Sequence, residues 1–153
     1  MIAMTFKQPY ASLIITGCAQ YLFRTGKPAK VAWDRTIGVH AARAYAYETE
    51  LLHYLDTMER YGPDACGIRR AKQALAERMI KRFMEDRTNL PSSALLGTVK
   101  LRMPIRPREI TEGNAGLISD KIWAWPFSSP RKLKEPIQIV GHCGVWEYDA
   151  KAA

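Results

Sequence analysis

The sequence predicts an α+β fold: a small β-barrel of about six strands, a short helix near the N-terminus, and a helical pair inserted beside the barrel. Three observations lead there. Apolar and polar residues alternate in several short runs, most cleanly from Ala94 to Met103. Glycine and proline punctuate the gaps between these runs. Only residues 45–88 carry an extended helical periodicity, and they fall between two strand-like stretches.

Taken in order, Ala3-Met4-Thr5-Phe6-Lys7 reads as a strand that leads into Gln8-Pro9. The proline biases Gln8 towards extended backbone and itself suits a first helical position, where its missing N–H is not needed. Tyr10, Leu13 and Ile14 share a face of the helix that follows, and Gly17 can end it in a left-handed conformation. Tyr21 to Phe23 are extended again and bring the chain back at Arg24. The hairpin is therefore expected to set Gln8 and Arg24 around one small polar mouth. Residues 25–34 form a basic loop, and Arg35 to Ala41 alternate as a strand in which Gly38 marks a close approach of another backbone. Leu51, Leu52, Tyr54, Leu55 and Met58 stripe one helix between Tyr45 and about Arg60. Ile68, Ala71, Leu75, Met79, Ile80 and Phe83 stripe a second from about Asp64 to Arg87.

In the strand that follows, Leu95, Gly97, Val99, Leu101 and Met103 share one face, and Leu96, Thr98, Lys100 and Arg102 the other. Pro104 and Pro107 end it. Residues 112–116 read as a mobile rim loop. Lys121 to Phe127 are aromatic and extended, Ser129-Pro130-Arg131 turns the chain, and Ile137, Ile139, Trp146 and Tyr148 mark the last alternating pieces. One domain is expected over 1–149, with a tail at 150–153.

Composition narrows the function classes. Apolar residues make up 47% and charged residues 25% of the 153, an ordinary globular balance. Lys and Arg outnumber Asp and Glu by 23 to 15, for a net charge of +8, which favours polyanionic partners. Three cysteines without a C-x-x-C pair indicate neither a disulfide framework nor a zinc site, and no metal or other cofactor is expected. No apolar run approaches the ~20 residues of a membrane span, so a membrane partner is not expected and a reducing cytoplasm is the expected compartment.

The N-terminal stretch Met4-Thr5-Phe6-Lys7-Gln8-Pro9-Tyr10-Ala11-Ser12-Leu13-Ile14 with Gly17 resembles the opening of ASCH-domain proteins, a branch of the PUA-like β-barrels. The likeness continues at Ile37-Gly38-Val39-His40-Ala41-Ala42, at Leu90-Pro91 and Ala94 to Val99, and from Trp125 through Pro130, Pro136, Gly141 and Gly144-Val145-Trp146. Residues 45–88 stay largely unmatched. The resemblance implies a PUA-like barrel whose cleft is lined by a signature G-x-K-x-x-E-x-R. It also implies one of the family's activities: RNA binding, RNA cleavage, or amide hydrolysis on modified nucleosides. Here the signature reads Gly17 to Arg24 with Ala19 at the lysine position and Leu22 at the glutamate position. Neither side chain can transfer a proton or attack a carbonyl, which counts against the amidohydrolase.

A recognition surface is what these residues still support. Arg24 and Arg35 offer fork-shaped donors for phosphate or a base edge. Gln8 offers an amide that both donates and accepts. Tyr10, Trp33, Trp123 and Trp125 are stacking candidates, and Lys100 and Arg102 would extend a phosphate track. The expected partner is RNA or another single-stranded nucleic acid. The alternatives are a metal-independent ribonuclease with His40, Tyr47 or Ser128 as proton carriers, and a cleft for a nucleoside or nucleotide.

Overall fold

The computed structural model describes residues 1–111 and 113–149, so the tail at 150–153 and Glu112 of the expected rim lie outside the described residues. Six strands form one mixed sheet curled into a half-barrel, in the order β2-β5-β4-β3-β1-β6. They are β1 (Ile2–Gln8), β2 (Tyr21–Arg24), β3 (Arg35–Tyr45), β4 (Ala94–Leu101), β5 (Trp123–Gln138) and β6 (Val145–Glu147). Only β1 and β3 run parallel; the other neighbours are antiparallel. Helix α1 (Tyr10–Ile15) packs its six residues, all buried, against the concave face. The inserted helices are α2 (Glu48–Tyr61) and α3 (Gln73–Glu85).

Gln8 is the pivot of this arrangement. Its side chain is 2% exposed. The amide nitrogen donates to Ser12 Oγ (2.8 Å) and to the Pro91 carbonyl (2.9 Å), while the amide oxygen accepts from the Ser12 N–H (3.0 Å). Its own carbonyl accepts from Ala46 N–H at 2.9 Å. One residue thus caps α1 and ties β1 to the start of α2 and to the lead-in of β4. Pro9 is the N-cap of α1 and not its first residue.

In β4 and β5 two expectations change. The β4 pattern is broken by a bulge between Leu95 and Gly97, so the faces exchange partway along the strand. Leu96 joins Val99 and Leu101 in the main core under α1, whereas Leu95 packs on the opposite face with Ala3, Trp146 and Tyr148. Gly97 is required there, because a Cβ would stand 2.1 Å from the Arg131 carbonyl oxygen. The turn expected at Ser129-Pro130-Arg131 is instead the middle of β5, a 16-residue strand. Register shifts between Leu95 and Gly97 and between Thr98 and Lys100 of β4, opposite β5, relieve the ladder that proline cannot complete.

The insertion is shorter in helix than its periodicity suggests. Residues 63–72 form short 3₁₀ turns, not the first turns of a long helix. Gly67 has φ +73°, and a Cβ on it would meet the Tyr21 carbonyl oxygen at 2.2 Å, so the segment is pressed against β2. Ile68 there pairs with Ala19 in an isolated bridge. In α3 only Ala76, Ile80 and Phe83 are buried; Leu75 and Ala71 face outwards. Close neighbours of Gly38 are side chains of Tyr148, Leu95 and Ala3, not a backbone.

Gln8→Leu keeps the apolar bulk and leaves the Pro91 carbonyl and the Ser12 N–H without partners. At ~1–3 kcal/mol for each of the two buried groups so orphaned, a loss of about 2–6 kcal/mol is expected in urea unfolding, with an unchanged m-value.

Candidate functional site

A cavity of about 370 Å³ opens between α1, β2, α2 and the segment that leads into β5. That volume falls at the small end of the range of small-molecule sites. Leu22, Tyr54, Ile118 and Ile122 give it apolar walls, and Tyr10, Arg24, Glu50 and His53 supply polar groups. Glu50, His53, Tyr54 and Thr57 all reach it because the spacing i, i+3, i+4, i+7 puts them on one face of α2.

Tyr10 organises the polar side. Its hydroxyl donates to Glu50 Oε2 at 2.8 Å, and its ring meets Tyr54 edge to face at 5.7 Å. The Arg24 guanidinium lies over the same ring, 5.1 Å from its centroid. Burial raises the Tyr10 pKa; the bond to Glu50 and its negative charge add to this, and Arg24 opposes it. Tyr10 therefore stays protonated and holds Glu50 by one oxygen, leaving the other without a hydrogen bond among the described residues. Arg24 is half-buried, donates only to the Phe23 carbonyl (3.2 Å), and makes no ion pair among the described residues. An arginine fork held in a pocket wall with donors open is suited to an anion or a base edge.

The deeper groups are inert. Burial raises the Tyr54 pKa, and its hydroxyl donates to the Cys66 carbonyl at 2.9 Å. Burial likewise pushes the Cys66 thiol up to about 12, and that thiol donates to the Tyr54 carbonyl. A protonated, hydrogen-bonded thiol is no nucleophile at neutral pH. Leu22, at the glutamate position of the ASCH signature, lines the cavity, while Ala19, at the lysine position, is buried and pairs with Ile68.

Of the residues singled out from sequence, the structure brings Tyr10 and Arg24 together. Gln8 is enclosed in the hydrogen bonds already described and does not line the cavity. Lys100 alternates with Val99 and Leu101, so it projects from the sheet face opposite the one that carries Leu22 and Arg24. Arg102 pairs with Asp34 at 3.4 Å, and Arg35 is exposed and donates to the Val31 carbonyl. Trp125 packs on the core and donates its indole N–H to the Gly26 carbonyl at 2.8 Å. Trp123, the register partner of Arg24, carries Arg106 at 3.6 Å and Lys27 at 4.9 Å over its ring. Lys27 and Lys30 also lie 5.8 and 5.9 Å from the Trp33 ring. A basic, aromatic edge thus begins at Arg24 and continues along the loop after β2.

The three proton-carrier candidates lie away from the cavity. Ser128 sits on β5 opposite Lys100, and Tyr47 is exposed at the start of α2. His40, 2% exposed, is a structural link. The Ile139 carbonyl can only accept, so His40 Nε2 carries the proton and donates to it (2.7 Å). Nδ1 then accepts from the Thr5 hydroxyl (3.1 Å), whose oxygen accepts from Trp146 Nε1–H (3.0 Å). Glu50 and His53 were not singled out from sequence. Their signal was the mixed polar face of α2, which only docking of the helix turns towards β2.

Burial lowers the His40 pKa below its ordinary value; the bond to Ile139 opposes this and the charge of His142 adds to it. The unfolded chain therefore takes up this proton first. The stability His40 contributes is whole above the ordinary imidazole pKa of about 6.5 and drains as pH falls below it. Urea midpoints measured from about pH 8 to about pH 5 should fall on the acid side, and His40→Gln, destabilised throughout, should fall less steeply.

No family model and no curated protein matches this chain.

Proposed function

We propose that the chain is an ASCH-type, PUA-like barrel that binds single-stranded nucleic acid, RNA above all, by taking one unpaired base into the cavity beside Tyr10. The observation that carries this reading is Arg24: half-buried in the cavity wall, stacked on Tyr10, and without an acidic partner among the described residues. The apolar walls suit the faces of a base, and the polar groups suit its edge and sugar. The edge bearing Trp123, Lys27, Trp33 and Lys30 supplies cations and rings for the rest of the strand. The net charge of +8 and the ASCH-like motifs around Gly17 and Arg24 point the same way.

A second reading is favoured by Glu50 and His53, both exposed on the cavity-facing side of α2. With a base in the cavity, its ribose and phosphate lie near them. Glu50 would take the proton of the 2′-hydroxyl as it attacks the adjacent phosphorus, and His53 would give one to the departing 5′-oxygen. Time-dependent cleavage that persists in EDTA and is lost in both Glu50→Gln and His53→Ala supports this activity; intact RNA after prolonged incubation with the wild type removes it.

Arg24→Ala should weaken single-stranded RNA binding at least tenfold, about 1.4 kcal/mol, whereas Arg78→Ala on the exposed side of α3 should change it less than threefold. Phosphate contacts by Arg24, Lys27 and Lys30 should make log K fall with log salt at roughly −2, at about −0.7 per contact. Duplex RNA should bind more weakly, because its bases are not free to enter. Equal losses in the two variants, or a slope near zero, would remove the single-strand reading.

A further inference from the structure

We propose that Tyr45 and Tyr47, with Lys7 and Arg87 beside them, form a second stacking site on which a single strand held by the cavity lays further bases. This rests on the single-strand reading and extends it to a surface outside the cavity. Tyr45 is 48% and Tyr47 76% exposed. One exposed ring is ordinary for a soluble domain, but here two stand at i and i+2 on a backbone that cannot give way. Ala46 between them is 1% exposed, and its N–H is fixed to the Gln8 carbonyl.

Each ring carries a cation. Arg87 lies 4.8 Å from the Tyr45 centroid and 4.8 Å from that of Phe83, and Tyr45 meets Phe83 edge to face at 5.9 Å. Lys7 Nζ is 5.8 Å from the Tyr47 centroid. Neither Lys7 nor Arg87 makes an ion pair among the described residues; Asp86, next to Arg87 in sequence, accepts from Thr88 instead, and Glu48 follows Tyr47. Solvent-facing rings beside an exposed Lys7 and a half-buried Arg87, neither of them ion-paired among the described residues, match a flexible polyanion with bare flat faces, which a single strand presents and a duplex does not. The position also fits. Tyr45 is the register partner of Gln8, two residues before Tyr10, and Tyr47 precedes Glu50 by three. The rings therefore lie outside the cavity, at the N-terminal end of the helix whose Glu50 and His53 line it.

The test uses the full chain and two 2′-O-methyl oligouridylates, a trinucleotide and a dodecanucleotide, which cannot be cleaved through a 2′-hydroxyl. The trinucleotide should bind the wild type and Tyr47→Ala equally, because it reaches only the cavity. The dodecanucleotide should bind the wild type more tightly than the trinucleotide does, and Tyr47→Ala should weaken it about tenfold. Lys7→Ala should flatten its salt slope by about 0.7. Tyr47 makes no side-chain hydrogen bond among the described residues, so its removal leaves the fold intact; Tyr45→Ala, which loses the Phe83 contact, is the supporting variant. If Tyr47→Ala holds the dodecanucleotide as tightly as the wild type, the second site is overturned and the cavity reading stands. If the wild type binds neither oligonucleotide, both are overturned.

Discussion

The buried amide of Gln8 is the constraint on which the rest of the structure depends. A buried side chain that donates twice and accepts once must find all three partners or lose several kcal/mol. It finds them in the first turn of α1 and in the carbonyl of Pro91, 83 residues away. The same residue's backbone carbonyl fixes Ala46. The angle at which α1 leaves β1, and the point at which α2 begins, are set by one residue. Tyr10 and Glu50 meet across the cavity because both are counted off from that junction.

The sheet sorts the basic residues into separate surfaces. Leu22 and Arg24 face the helices, opposite Trp125 and Trp123, whereas Lys100 projects from the other side of β4. A net charge of +8 therefore does not make one continuous track. The cations that share a side with Arg24 are those folded over tryptophan rings in the loop after β2. Each ring holds its cation near an apolar surface, which limits the conformations that side chain must give up on meeting a phosphate.

What could be read from sequence was what short-range geometry decides. The hairpin of β1, α1 and β2 is local, so apolar spacing, Pro9 and Gly17 were enough to return the chain at Arg24 beside the helix, but the side chain it meets there is Tyr10 and not the expected Gln8. The role of Gln8 was not legible, since an amide is equally apt for a ligand and for a buried cap, and its partner Pro91 is distant in sequence. His40 could be placed on a strand, but its bond to Ile139 depends on how the chain returns past Gly141, where a Cβ would stand 2.4 Å from the imidazole. The bulge at Gly97 exchanges the faces of β4 without disturbing the look of the alternation. A third of the residues lining the cavity come from α2, whose apolar stripe announces a helix and says nothing about what its polar side will meet.

The placement of β1 has a consequence for biosynthesis. Ile2 to Met4 lie between β3 on one side and Val145 to Glu147 of β6 on the other. On the ribosome β1 is made first, yet its second neighbour is made well over a hundred residues later, roughly ten seconds at ~5–20 residues per second. Through that interval an apolar strand has one edge unpaired, the exposure that invites pairing with other chains. Trp146 and Tyr148 then close over Ala3 and Leu95 together with β6. The edge of β1 is therefore covered only once the C-terminal strand has been made.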